Sequence, residues 1–152
     1  MIPLAGVIDM KYFKSSQLGR VFILRMERGD LLVETIADLC KTENIQNAIL
    51  SSGIATFDAV HMQMTNTDGY PIGYDVHCLQ EPLELGALDG TIIDGRPHLH
   101  GVVSNSQRTW AGHLLDHCRI LYLGEIVIQE ILVDLVRKPD ENGVMLIHEK
   151  ES

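Results

Sequence analysis

The stretch Arg96-Pro97-His98-Leu99-His100-Gly101-Val102-Val103-Ser104, followed by Ala111-Gly112-His113, decides how this chain is read. Side chains alternate between faces along an extended strand, so His98 and His100 share one face, about 7 Å apart. The polar segment Asn105-Ser106-Gln107-Arg108 between the two blocks is a hairpin-turn signal. A turn centred between Ser106 and Gln107 sets His113 across from His100. Directly opposed residues hold their Cβ atoms about 5 Å apart, close enough for the rings to reach one cation. Three neutral imidazoles on one point form the ligand set of an open zinc site, with a fourth position left to water or another ligand. The plainer alternative is three polar sheet residues, because the register rests on the position of the turn.

Around this stretch lies a chain of 152 residues with 45% hydrophobic content, enough for one domain with a real core. The expected organisation is a single domain over residues 1–152, with a core at about 11–136, an arm at 1–10 and a C-terminal tail at 137–152. No apolar run approaches the roughly 18 residues of a membrane span. Met1 to Met10 is apolar but short, contains Asp9 and lacks a basic start, so it is not read as a signal peptide. Cys40, Cys78 and Cys118 are odd in number and widely spaced, which favours reduced, buried thiols and a cytoplasmic location over a disulfide framework. The net charge of −9 repels phosphate backbones, and no Lys/Arg run offers a nucleic-acid footprint.

Taken in order, Lys11 to Lys14 reads as a short edge strand and Arg20 to Met26 as a strand closed by Gly29-Asp30. Asp30 is a good N-cap for the amphipathic helix through about Glu43. Ile45 to Ile54 is a buried strand ending at Ser51-Ser52-Gly53, and Phe57 to Thr65 is a second strand. Gly73 to Leu79 and Leu83 to Ile93 follow, the latter broken or bulged near Gly86 and Gly90. After the histidine hairpin come Arg119 to Leu123, Glu125 to Val136, and a possible strand at Val144 to His148 before the tail frays. One strong helix among about seven strands gives an α+β domain with a mostly antiparallel sheet.

Four stretches then carry a family resemblance: Arg20 to Asp30, Ile45 to Ala55, Leu83-Glu84-Leu85-Gly86-Ala87-Leu88-Asp89-Gly90, and the histidine blocks with Leu114. In this order they resemble the PPC (plants and prokaryotes conserved) domain family, across roughly residues 11–136. The one departure is Ala111-Gly112, where members commonly show two glycines. The resemblance implies a mainly antiparallel sheet with helices, assembled as a homotrimer, and a bound metal whose ligands fall on His98, His100 and His113. It also brings a DNA-binding label. In plants that label accompanies separate AT-hooks, which this chain lacks; Gly95-Arg96-Pro97 has neither the first Arg of a hook nor its basic flanks.

Three functional readings follow. A regulatory module would hold a zinc-type metal and a small-molecule ligand, the ligand's carboxylate filling the open position. A hydrolase-like, metal-dependent enzyme would need a carboxylate base, for which Glu84, Asp89, Asp94 and Asp116 are candidates and Glu84 is favoured. DNA binding would need a patch of Lys11, Lys14, Arg20, Arg25 and Arg28, which helix-flanking positions make more simply a solvated face. His117 and Cys118 lie close to His113 in sequence and are candidate substitute ligands, His117 sharing its face only if that piece is helical. His61 and His77 read as ordinary sheet residues, His148 as part of the tail, and Trp110 as a core aromatic or a pocket wall. No nucleophile motif, phosphate loop or dinucleotide fingerprint is present.

Overall fold

The structure, a computed structural model, describes residues 10–151. The proposed arm at 1–10 and the reading of Met1 to Met10 therefore fall, but for Met10, outside the described residues. One strand organises the rest. β2 (Asn47–Thr65) runs for 19 residues and exchanges partners along its length. Its first part lies between β4 (Leu83–Ile93) and β7 (Arg119–Ile131), and its last part between β3 (Tyr74–Leu79) and β6 (Thr109–Leu114).

Ser51-Ser52-Gly53 was expected to end a strand here, and Ile45–Ile54 and Phe57–Thr65 to be separate. Instead the irregular residues are absorbed as register shifts against β7, after Leu50 and again around Phe57. A central strand paired on both sides keeps enough hydrogen bonds to carry bulges that would stop an edge strand.

The main sheet has seven strands in the order β1-β7-β2-β4-β5-β6, with β1 at Leu18–Glu27, β5 at Arg96–Ser104, and β3 attached to β2. Every ladder is antiparallel. Because β6 returns to β2 through Met62–Leu114 and Gln63–His113, the four strands β2, β4, β5 and β6 close on one another. This ring of pairings fixes the faces of β5 and β6, since a one-residue slip in any ladder would break the closure.

Helix α1 (Leu32–Glu43) covers the core with Leu32, Ile36 and Cys40, a stripe repeating every four residues. Asp30 does not cap it; the N-cap position is Leu31, with no side-chain cap. The Asp30 carboxylate instead accepts from the backbone N–H of Glu27 at 2.8 Å, closing the turn at Gly29, whose φ is +94°. The helix start is satisfied by the chain entering β7: Leu32 N–H donates to the Cys118 carbonyl at 2.8 Å.

Other expectations are corrected in the same way. Lys11 to Lys14 forms no strand. Glu125 to Val136 is not continuous with one strand; β7 begins at Arg119, ends at Ile131, and the chain breaks before β8 (Leu135–Pro139). The tail does not simply fray, because β9 (Met145–Glu149) pairs with β8 as a separate two-stranded sheet, with His148 opposite Val136. The shift in β4 falls at Gly86 as expected, whereas Gly90 stays in register opposite Leu99. A Cβ at Gly90 would lie 2.3 Å from the His98 carbonyl oxygen, so the glycine permits close strand approach rather than a break. Cys40 and Cys118 are buried thiols, but Cys78 is exposed on β3.

Candidate metal centre

The β4–β5 hairpin turns at Asp94-Gly95, both with positive φ (52° and 71°), as a two-residue hairpin turn of the primed type requires. From that turn β5 presents Leu99, Gly101 and Val103 to the core and His98 and His100 to the other face. β6 then pairs in the expected register, with His100 opposite His113 and Ser104 opposite Thr109. The Asn105 side chain holds the turn by accepting from the N–H groups of Gln107 (2.8 Å) and Arg108 (2.9 Å).

The result is convergence. Ring centroids are 5.3 Å apart for His98–His100, 4.7 Å for His98–His113 and 5.3 Å for His100–His113. One nitrogen from each ring can be chosen so that all three lie within 4.8 Å of one another.

Gly112 matters to this placement. A Cβ there would lie 2.6 Å from the Gln63 carbonyl oxygen on β2, so only glycine lets β6 close against its neighbour. Ala111 beside it is exposed.

The electrostatics keep these rings available to a cation. Burial, then the charges of His113, Arg137 and His100, push His98 down to about 4. Burial, then His100, lowers His113, against a smaller raising contribution from the Leu99 backbone. Both are therefore neutral near pH 7, the state in which imidazole binds a metal. His113 Nδ1 is buried without a hydrogen-bond partner. Three convergent imidazoles, two of them held neutral by burial, form a donor set that suits a zinc-type ion.

The three histidines line a cavity of about 890 Å³ covered by β8 and β9, which contribute Val136, Arg137 and Met145. Arg137 was not among the expected site residues, and no local signal marks it: it reaches the cavity only because the tail folds back. Its Nη2 donates to Thr91 Oγ1 at 2.9 Å, and Thr91 stands opposite His98 in the β4–β5 ladder.

The expected carboxylates are not gathered with the histidines. Glu84 pairs with Ser104 and Thr56, four positions along β5 from His100. Asp89 is opposite His100 and exposed. Asp94 lines the cavity, but its carboxylate binds Lys150 at 3.0 Å. Asp116 is exposed in the β6–β7 turn.

His117 and Cys118 do not substitute as ligands. The turn puts His117 at φ +73°, facing away toward Glu34 and His61. Cys118 is buried, and burial pushes its thiol up to about 11, where it donates to the carbonyls of His61 and Leu115. Trp110 packs against the core. Of the basic set, Arg20 is paired with Glu43 and Glu130 at 3.0 Å each, and Arg25 with Glu27.

Comparison with known proteins bears on the family and the fold. Residues 13–132 match the Plants and Prokaryotes Conserved (PCC) domain. The chain is similar to a plant- and prokaryote-conserved (PPC) protein of Pyrococcus horikoshii, at 30% identity and TM-score 0.77, covering 94% of this chain and 100% of that one. It also shares its fold with a metal-containing protein of Archaeoglobus fulgidus, at 24% identity and TM-score 0.80, covering 92% and 100%. A curated relative, the bifunctional protein GlmU of Synechococcus sp. (strain JA-3-3Ab), is 29% identical over 133 residues, 85% of this chain and 20% of that one. The chain spans about a fifth of the length of the curated relatives it matches.

Proposed function

The chain belongs to the Plants and Prokaryotes Conserved domain family, and from that premise we propose that it is a zinc-type metal protein serving as a small-molecule-binding, regulatory module. One observation carries this reading: three imidazoles converge on one point within a ligand-sized cavity. In the proposal His98, His100 and His113 hold the ion, and the ion supplies an open Lewis-acid position facing the cavity. The metal described for the Archaeoglobus protein of the same fold is consistent with it.

Assembly as a homotrimer is part of the proposal. Strand β1 forms an edge of the sheet and leaves Leu18, Val21 and Ile23 exposed, apolar surface of the kind that association covers. DNA binding has less support, because the net charge is −9 and two of the candidate basic residues are neutralised by carboxylates. The hydrolase-like alternative would have to use Asp89 as its base, since Glu84 stands along the strand and Asp94 is tied to Lys150. No helix among the described residues is long and apolar enough to cross a membrane.

The test is metal content. Elemental analysis of the purified protein should find about one zinc per chain, the stoichiometry of a single three-histidine site. His100→Ala should abolish it, and EDTA should strip the ion while circular dichroism stays that of the folded protein. The core is hydrophobic and separate from the histidines, so folding should not depend on the ion. Unchanged zinc in His100→Ala refutes the reading.

A further inference from the structure

Arg137 is a cation without a counter-charge. Among the described residues it forms no ion pair; its Nη2 donates to the Thr91 hydroxyl, its Nη1 to the Met145 carbonyl at 3.4 Å, and its Nε is buried with no partner. Thr91 stands across from His98, so the guanidinium lies one cross-strand step from a proposed metal ligand. Half-buried charge left uncompensated is expensive, and a metal ion on three neutral histidines would add positive charge beside it. The one carboxylate lining the same cavity, Asp94, is already neutralised by Lys150. Arg96 adds a second guanidinium at the rim. In a chain whose net charge is −9, this is a local cationic pocket.

The remaining walls mix polar Gln63 and Thr65 with an apolar side from Ile72, Val136 and Val144. Phosphate sites commonly use a helix N-terminus or a cradle of backbone N–H groups. The only described helix contributes nothing to this cavity, which is lined by strands and hairpin turns. We propose that the cavity binds a small organic carboxylate with an apolar body, its carboxylate held between Arg137 and the open metal position. This rests on the metal reading above and goes beyond it by naming Arg137 as the residue that holds the carboxylate and the walls that select an apolar body.

The probe is isovalerate, titrated into cobalt-substituted protein and followed in the visible ligand-field bands, with neutral isovaleramide and methyl phosphate as controls. Isovalerate should shift the bands saturably and the controls should not. Arg137→Gln should weaken isovalerate by roughly tenfold or more, the scale of one charge-assisted contact, with cobalt stoichiometry and circular dichroism unchanged. Arg137→Lys, which keeps the charge but loses the planar fork, should fall between the two.

Cobalt bound with no isovalerate response, an equal response to isovaleramide, or full affinity in Arg137→Gln overturns the carboxylate site alone. A stronger response to methyl phosphate overturns the choice of carboxylate. Failure to bind cobalt overturns the metal reading, and this one with it.

Discussion

Two histidine clusters sit close together in this protein, and only one is arranged as a ligand set. In the first, His98, His100 and His113 come from a hairpin whose ladder aims all three at one point. In the second, His61 and His117 meet edge to face with centroids 5.7 Å apart, beside Glu34 and a cavity of about 400 Å³. There the surrounding fold engages the backbone of both residues. His117 N–H donates to Glu34 Oε1 at 2.9 Å, and its Nδ1 lies 3.4 Å from the same oxygen. The His61 carbonyl accepts from Leu115 N–H and from the Cys118 thiol. In the second cluster two rings meet edge to face beside a turn tied down through its backbone, whereas in the first a paired ladder aims three rings at one point. Counting histidines does not distinguish the two, but following where the ladders aim the rings does.

Paired substitutions test this contrast most severely. His113→Ala should lower metal affinity by more than the roughly 100-fold that loss of an outer supporting partner can cost, whereas His117→Ala should leave it unchanged. Equilibrium dialysis against zinc reads both, and equal losses would erase the distinction.

A subtler break is Gly112→Ala, which leaves every ligand in place but sets a methyl group 2.6 Å from the Gln63 carbonyl oxygen. Separating β6 from β2 should cost about 1–3 kcal/mol in chemical denaturation and weaken metal binding along with it. A variant of unchanged stability and affinity would show that the closure does not position His113.

The smallest effect concerns protons. Folding lowers His98 from 6.5 to about 4, so between those values the unfolded chain holds a proton that the folded one does not. Stability of the metal-free protein should therefore fall as pH drops from about 6.5 toward 4 and flatten below. His98→Gln should show a shallower slope in thermal denaturation; identical slopes would contradict the depressed value. The ring's partial exposure keeps this contribution modest.

The hairpin was legible in the sequence because everything that sets it is local. Period-two alternation placed His98 and His100 together, and four polar residues fixed the turn, so the pairing of His100 with His113 followed without the rest of the fold. The limits of β2 were not legible in this way. Whether Ser51-Ser52-Gly53 stops a strand or bulges depends on β4 and β7 lying on either side, and those partners are distant in sequence. Asp30 misled for a related reason: its carboxylate was claimed by the preceding turn, and the helix start found its acceptor in Cys118. Arg137 had no mark at all. Its contact with Thr91 spans 46 positions and exists only because β8 and β9 fold over the sheet.

That fold-over divides authorship of the cavity. The stretch matching the family ends at residue 132, while β8 and β9 begin at Leu135. The three histidines and the Arg137 that shares their cavity are thus written in separate parts of the chain. On the proposed reading, variation confined to the last two strands would alter what the cavity accepts while leaving the three rings in their ladder.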